Sequence, residues 1–269
     1  MPTSINGPLY YEAMGPRDAP PLAMVHPNPM DNAWALFQMA HFSTWYRTVA
    51  VDLPGYGRSP SASDDVTMPD IARACWEALD QQSRQPAVLQ GCSVGANVVQ
   101  HMYHLRPQQT KAVVIAGGGG YHDPSHGVKE HAPRRIAEYR ALGLDHRWDH
   151  TFQDFSPEFA ATPLARWFAD LFWERNPHAD LSTIIAMFDA LGQPDPEWLV
   201  GELHAPVLIL TGSEDRGHAR SLELQRRLPD AELVTVQGAG HACQIEQPWV
   251  VDREMIRFFK ERGAWPDAG

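Results

Sequence analysis

Cysteine is scarce in this chain: three in 269 residues, Cys75, Cys92 and Cys243, far apart and in no paired spacing. Neither a disulfide framework nor a zinc knuckle is predicted, and a reducing cytoplasm is the expected compartment. Positive charge is also in deficit, with 22 Lys and Arg against 33 Asp and Glu and a formal net charge of -11. Such a surface repels phosphate backbones, which argues against nucleic acid as a partner. No apolar run reaches membrane-spanning length, and Met1 to Gly15 alternates polar and apolar residues without the pattern of a signal peptide. A soluble, unexported protein without a membrane partner is expected. Phosphate-binding glycine loops are missing too: the run Gly117 to Gly120 lacks the Lys-Ser/Thr ending of a P-loop and the spacing of a dinucleotide fingerprint. No organic cofactor is implied.

What the chain does have is an alternation of short apolar runs with longer amphipathic ones. Pro21 to His26, Thr48 to Leu53, Ala87 to Gln90, Ala112 to Ala116, Val207 to Thr211 and Leu233 to Val236 read as strands. Several are almost wholly apolar, as parallel strands covered on both faces must be. Met68 to Ser83, Val94 to Leu105, Ala219 to Leu228 and Pro248 to Arg262 carry helical periodicity. The pattern predicts an α/β fold with a doubly wound, mostly parallel sheet. From Tyr121 to about Val200 it gives way to helical sequence with breaks expected at Pro133, Pro157, Pro163, Pro177 and Pro194. We read residues 1–120 and 201–269 as the two parts of the core and 121–200 as an inserted helical cap. The cap's many aromatics, among them Trp148, Phe155, Trp167, Phe168, Phe172, Trp173, Phe188 and Trp198, are expected mainly to form its own core, with some roofing a pocket.

One segment carries chemistry. Gly91-Cys92-Ser93-Val94-Gly95 joins an apolar strand to a helix, a Gly-X-Ser-X-Gly pattern. Glycines two residues either side of a serine permit a sharp strand-to-helix turn that exposes its hydroxyl and aims the free N–H groups of the following helix at a developing oxyanion. Cys92 is expected as a small buried filler beneath the turn. Further on, Thr211-Gly212-Ser213-Glu214-Asp215 and Gly238-Ala239-Gly240-His241 each follow a strand, giving the order Ser, Asp, His. A serine hydroxyl needs an imidazole base, and the imidazole needs a carboxylate to fix its tautomer. Loops at the carboxyl ends of parallel strands converge on one crevice, so three such loops can meet.

Together with Val25-His26-Pro27-Asn28-Pro29 and Asp52-Leu53-Pro54-Gly55-Tyr56-Gly57-Arg58-Ser59, each also after a strand, these motifs resemble the α/β-hydrolase superfamily. The likeness is to its small capped branch of esterases, lactonases, carbon-carbon bond hydrolases and cofactor-free haloperoxidases. It runs from about Leu9 to Phe259 apart from the cap. The resemblance implies Ser93 as nucleophile, Asp215 as acid and His241 as base, with Glu214 and Asp123 as competitors for the acid. It implies the backbone N–H groups of Val94 and Asn28 as oxyanion donors and His26 as support for the oxyanion loop. Pro27 stands where the family usually has Gly. Serine rather than aspartate at position 93 argues against dehalogenase and epoxide hydrolase chemistry. The expected activity is cleavage of a carboxylic ester or lactone of a small, largely apolar substrate. Carbon-carbon bond hydrolysis of a ring-cleavage product, or a ligand receptor on the same fold, are the alternatives; a monomer or homodimer is equally compatible.

Weaker patterns remain. His122 with His126, and His146 with His150, are spaced i, i+4, but no third ligand is evident and no metal is expected. Arg134, Arg135 and Arg140 read first as a solvated helix face and second as a clamp for a substrate carboxylate.

Overall fold

In the computed structural model, which describes residues 4–118, 131–196 and 198–266, the buried apolar runs become the middle of one twisted sheet. Its strands are β1 (Tyr11–Met14), β2 (Pro21–Val25), β3 (Arg47–Val51), β4 (Ala87–Cys92), β5 (Thr110–Ala116), β6 (Val207–Gly212) and β7 (Glu232–Val236), in the order β1-β3-β2-β4-β5-β6-β7. All neighbours pair in parallel except β1, which lies antiparallel on β3. β2, β4 and β6 are buried at every position, which explains why apolar residues dominate them. The sequence expectation omitted β1. Its four residues, Tyr-Glu-Ala-Met, sit half-exposed at the sheet edge and carry no apolar run.

Helices cover both faces. On one side α2 (Met68–Asp80), α3 (Val94–Leu105) and α10 (His218–Arg227) contribute Ile71, Leu79, Val98, Met102 and Leu224 to a core with Val49, Leu89, Val113 and Ile209. On the other, α1 (Leu36–Phe42) and α12 (Pro248–Glu261), which follows the single-turn α11 (Cys243–Glu246), bring Phe42, Met255, Phe258 and Phe259 against Leu22, Val88, Val114 and Leu208. α2 starts where its sequence dictates. Thr67 Oγ1 accepts from the Asp70 N–H, Asp70 Oδ2 accepts from the Thr67 N–H, and Pro69 occupies the first turn. No helix among the described residues is long and apolar enough to cross a membrane.

Between β5 and β6 the chain forms α4 (His131–Leu142), α5 (His146–Gln153), α6 (Pro157–Ala160), α7 (Pro163–Arg175), α8 (Leu181–Gly192) and α9 (Trp198–Gly201). Pro157 and Pro163 are first-turn residues behind the N-caps Ser156 and Thr162, and Pro177 and Pro194 follow helix ends. Pro133 departs from expectation: it lies in the first turn of α4, where a missing N–H costs no intrahelical bond. The aromatics do not form a separate core either. Phe155, Phe168 and Phe172 join the cluster of α1 and α12, while Tyr139 and Phe188 join that of α2 and α3. Trp167, Trp173 and Trp198 are exposed.

Candidate active site

Ser93 occupies the turn from β4 to α3 with φ 54° and ψ -117°, and it is the only residue other than glycine with positive φ among those described. Such a conformation costs of the order of 1–3 kcal/mol and persists only where surrounding structure enforces it. Two close approaches do so here. A Cβ on Gly91 would fall 2.1 Å from the Gly95 carbonyl oxygen, and one on Gly95 would fall 2.2 Å from the carbonyl oxygen of Val25. The turn is tied to β5 by the Ser93 N–H, which donates to Ala116 O at 3.0 Å. Val94 opens α3, so its N–H belongs to the first turn, which has no intrahelical acceptor.

The close packing of Gly95 also sets the start of α3 against the loop after β2. That loop is organised by His26, which is fully buried. Its Nδ1 lies 2.8 Å from Pro27 O, and its Nε2 accepts from the Leu53 N–H at 2.8 Å. A carbonyl only accepts, so Nδ1 carries the proton. Burial pushes the ring down to about 4, which keeps it neutral. Pro27, unable to donate, serves through its carbonyl, which also accepts from the Met30 N–H at 3.1 Å. Asn28 is buried between these points, and neither atom of its side-chain amide has a partner.

His241 and Asp215 are brought together from the loops after β7 and β6. His241 Nδ1 lies 2.9 Å from Asp215 Oδ1, which also accepts from the Gly217 N–H at 2.6 Å. Burial opposes ionisation of Asp215, but the imidazole and these hydrogen bonds outweigh it and hold the carboxyl below its ordinary value. Nδ1 therefore carries a proton and Nε2 is left with the lone pair. Glu214 points outward to solvent while Asp215 is buried, which separates the two adjacent acids. Asp123, the other competitor, lies outside the described residues, as do His122 and His126. The ring of His241 rests on Gly117 so closely that a Cβ there would stand 2.9 Å from its Cε1. Cys92 is buried beneath the same ring, its Sγ 3.7 Å from His241 O, the filler role expected of it.

Three groups around His241 gave no signal in the sequence. Asp154, at the end of α5, is buried, and its backbone oxygen accepts from the Ala242 N–H at 3.0 Å. Burial lowers the basicity of His241, but Asp215 first and Asp154 second overcome it, so the imidazole titrates above its ordinary 6.5. Arg216 pairs with Asp154 Oδ1. Glu246 fastens the His241 loop to the helical layer, accepting from the Gly240 N–H at 2.9 Å and from the Ser156 N–H at 3.2 Å.

The weaker sequence patterns resolve differently. His146 and His150 stack at 5.9 Å, but His146 Nε2 faces Glu138 at 3.3 Å and His150 Nδ1 faces the Tyr139 hydroxyl at 3.0 Å, a packing role inside the helical layer. No cluster of three or more potential metal ligands occurs among the described residues. Arg134 and Arg140 are exposed as a solvated face requires, whereas Arg135 is completely buried and contradicts that reading.

The fold has counterparts among known proteins. The model of the alpha/beta hydrolase family matches residues 23–253. The chain is similar, at 22% identity over 94% of both sequences, to an (E)-2-((N-methylformamido)methylene)succinate hydrolase of Acinetobacter baylyi. Among solved structures it is similar to a thermophilic esterase of Thermogutta terrifontis, with a TM-score of 0.79 and 20% identity over 97% of each chain. It is also similar to the enol-lactonase of Burkholderia xenovorans, with a TM-score of 0.81 and 19% identity over 96% of this chain and 98% of the other.

Proposed function

Because the chain belongs to the alpha/beta hydrolase family, we propose that it is a serine hydrolase acting on a carboxylic ester or lactone of a small, largely apolar substrate, with Ser93, His241 and Asp215 as its catalytic residues. The observation that carries this reading is the Nδ1 to Oδ1 contact of 2.9 Å. It commits the proton of His241 to the Asp215 side and leaves Nε2 as a base. In the proposed reaction Nε2 takes the proton of Ser93 Oγ as the oxygen attacks the substrate carbonyl. The tetrahedral oxyanion is met by the Val94 and Asn28 backbone N–H groups. The imidazolium, stabilised by ionised Asp215, protonates the departing alcohol oxygen. Water then attacks the acyl-enzyme with His241 again as base, releasing the acid and restoring Ser93. In a lactone the leaving oxygen stays tethered to the acyl group, so one hydroxy acid is released. The named activities of similar proteins, an esterase and an enol-lactonase, support acyl hydrolysis as the reaction class.

The test is intact-mass labelling with a fluorophosphonate together with turnover of nitrophenyl esters, for wild type and Ser93→Ala. Stoichiometric labelling of the wild type is expected, lost in the variant along with at least ~1000-fold of turnover. A folded wild type that does not label, or a variant that still turns over, would remove Ser93 from the role.

A further inference from the structure

Among the described residues Trp249, in the first turn of α12, is the most exposed large apolar side chain, with 73% of its surface open. It does not stand alone. Its ring lies 6.4 Å from that of Phe37 on α1, Phe37 lies 5.8 Å from Phe168 on α7, and Phe168 lies 5.0 Å from Trp167. Trp167 is 49% exposed, and Leu164, one turn earlier on the same face of α7, is 44% exposed. Leu36, at the start of α1, is 40% exposed. Three helices that are distant in sequence thus present one continuous apolar surface, with Phe37 half-buried and Phe168 buried as its floor.

A single open apolar side chain is ordinary, whereas a contiguous patch of several hundred Å² marks an interaction surface. With about 200 Å² per large side chain, the open fractions of Trp249, Trp167, Leu164 and Leu36 come to roughly 400 Å². Two such patches face to face bury roughly 800 Å², and their polar rims bring the total to the ~1,000 Å² that a specific contact needs. The described residues that border undescribed ones lie elsewhere. Ser4 O accepts from the Ser63 N–H, Gly118 packs on Gly217, Ala132 on Gly192 and Trp198 on His104. Trp265 packs on Trp45, past the opposite end of α12 from Trp249.

The rim points to the occupant. Asp170 stands one turn beyond Trp167 on α7, and Arg253 stands one turn beyond Trp249 on α12, so opposite charges flank opposite sides of the patch. Both are exposed and sit in surface ion pairs, Asp170 with Arg166 and Arg253 with Glu254, whose net worth is small. A two-fold axis through Phe37 exchanges the two sides. Trp249 of each copy then faces Trp167 of the other, and each Arg253 faces an Asp170. An anionic membrane is a poorer match for a chain whose formal net charge is -11.

We infer that the apolar surface of α1, α7 and the start of α12 docks a second copy of this chain about a two-fold axis. The inference is independent of the hydrolase reading. α7 belongs to the helical layer inserted between β5 and β6, while α1 and α12 pack on the sheet, so docking clasps the two layers together from outside.

Sedimentation velocity of the full chain from ~1 to ~100 μM is expected to show one monomer–dimer equilibrium, with a dissociation constant of ~10 μM or tighter. Trp249→Glu and Trp167→Glu, made separately and verified as folded by circular dichroism, should each raise that constant at least ~30-fold, as loss of a central aromatic does. Leu142→Glu, at an open apolar position ending α4, should leave it unchanged. Arg253→Asp should weaken the dimer ~3-fold, and adding Asp170→Arg should restore it. A wild type that stays monomeric throughout overturns the proposal, as does a dimer that survives both Trp variants or an open series of larger aggregates. A charge exchange that restores nothing removes the two-fold register. Binding of a monomeric wild type to phosphatidylcholine vesicles, lost in Trp249→Glu, would assign the surface to lipid instead.

Discussion

At the scale of single residues, the electrostatics around His241 are set by two carboxylates. Against burial, which lowers the imidazole's affinity for a proton, Asp215 in direct contact and the charge of Asp154 both raise it. The proposed base must be neutral to work, so kcat/KM is expected to rise with pH through a single ionisation whose midpoint lies above the ordinary 6.5. Asp154→Asn removes one of the two negative charges and should move that midpoint downward while leaving the Asp215 contact in place. A pH-rate profile that superimposes on wild type would show Asp154 to be electrically irrelevant. Ser93 permits a different test. Its positive φ is a burden that alanine retains and glycine does not. Ser93→Gly should therefore unfold in urea at higher stability than Ser93→Ala, by about 1 kcal/mol; a lower stability would mean that the turn is unstrained.

At the scale of elements, the junction of β4 and α3 is the least forgiving. Gly95→Ala places a methyl group 2.2 Å from the Val25 carbonyl oxygen, and rigid backbone lies on both sides. We expect a loss of about 2–3 kcal/mol in stability, with ester turnover falling further because α3 must shift away from the Asn28 loop. Equal losses in stability and turnover to those of Gly201→Ala, where a Cβ meets open space, would contradict this. These same elements were the most legible in sequence. Buried parallel strands must be apolar throughout, and a serine between two glycines has few other reasons to follow one. The helices α2, α3, α10 and α12 were expected within a few residues of their observed ends for a similar reason, since one apolar stripe and a cap define each. Other features left no such trace. β1 is short and half-exposed, and α1 has only seven residues. Arg135, Asp154 and Glu246 acquire their meaning from partners on other elements, and spacing along one chain does not record such pairings. Arg135 reads like its neighbours Arg134 and Arg140 until burial distinguishes it.

At the scale of the whole molecule, a polar knot joins the helical layer to the loops after β2 and β3. Asp31 Oδ2 accepts from Asn176 Nδ2 at 2.7 Å, Asn32 Oδ1 accepts from Arg175 Nη2 at 2.8 Å, and Asp52 Oδ1 accepts from the Asn32 N–H at 2.9 Å. Burial first, and the neighbouring Asp31 second, push Asp52 up to about 6, although hydrogen bonds from Arg58 and Asn32 and the charge of Arg175 pull the other way. A carboxyl raised in the folded state binds its proton more tightly there than in the unfolded chain. Its contribution to stability is complete below about 3.8 and is lost as pH rises through about 6. Asp52→Asn cannot ionise, so its stability relative to wild type should improve between pH 4 and pH 7, by on the order of 2 kcal/mol, whatever constant offset the amide introduces. Parallel stability curves for the two proteins would exclude an ionising Asp52.

The helices α4 to α9 leave the sheet after Ala116 and return before Val207, and these strands are direct neighbours, with Ala116 opposite Leu210. Ala116 ends β5 at its carboxyl end and Val207 starts β6 opposite Val113, so the excursion also carries the chain back along the strands, its two ends lying about 11 Å apart. The proposed catalytic residues, on the loops after β4, β6 and β7, lie outside that excursion. Helices α4 to α9 are one continuous insertion between two neighbouring strands, so an exchange of the whole segment between relatives leaves every strand of the sheet and all three proposed catalytic residues in place.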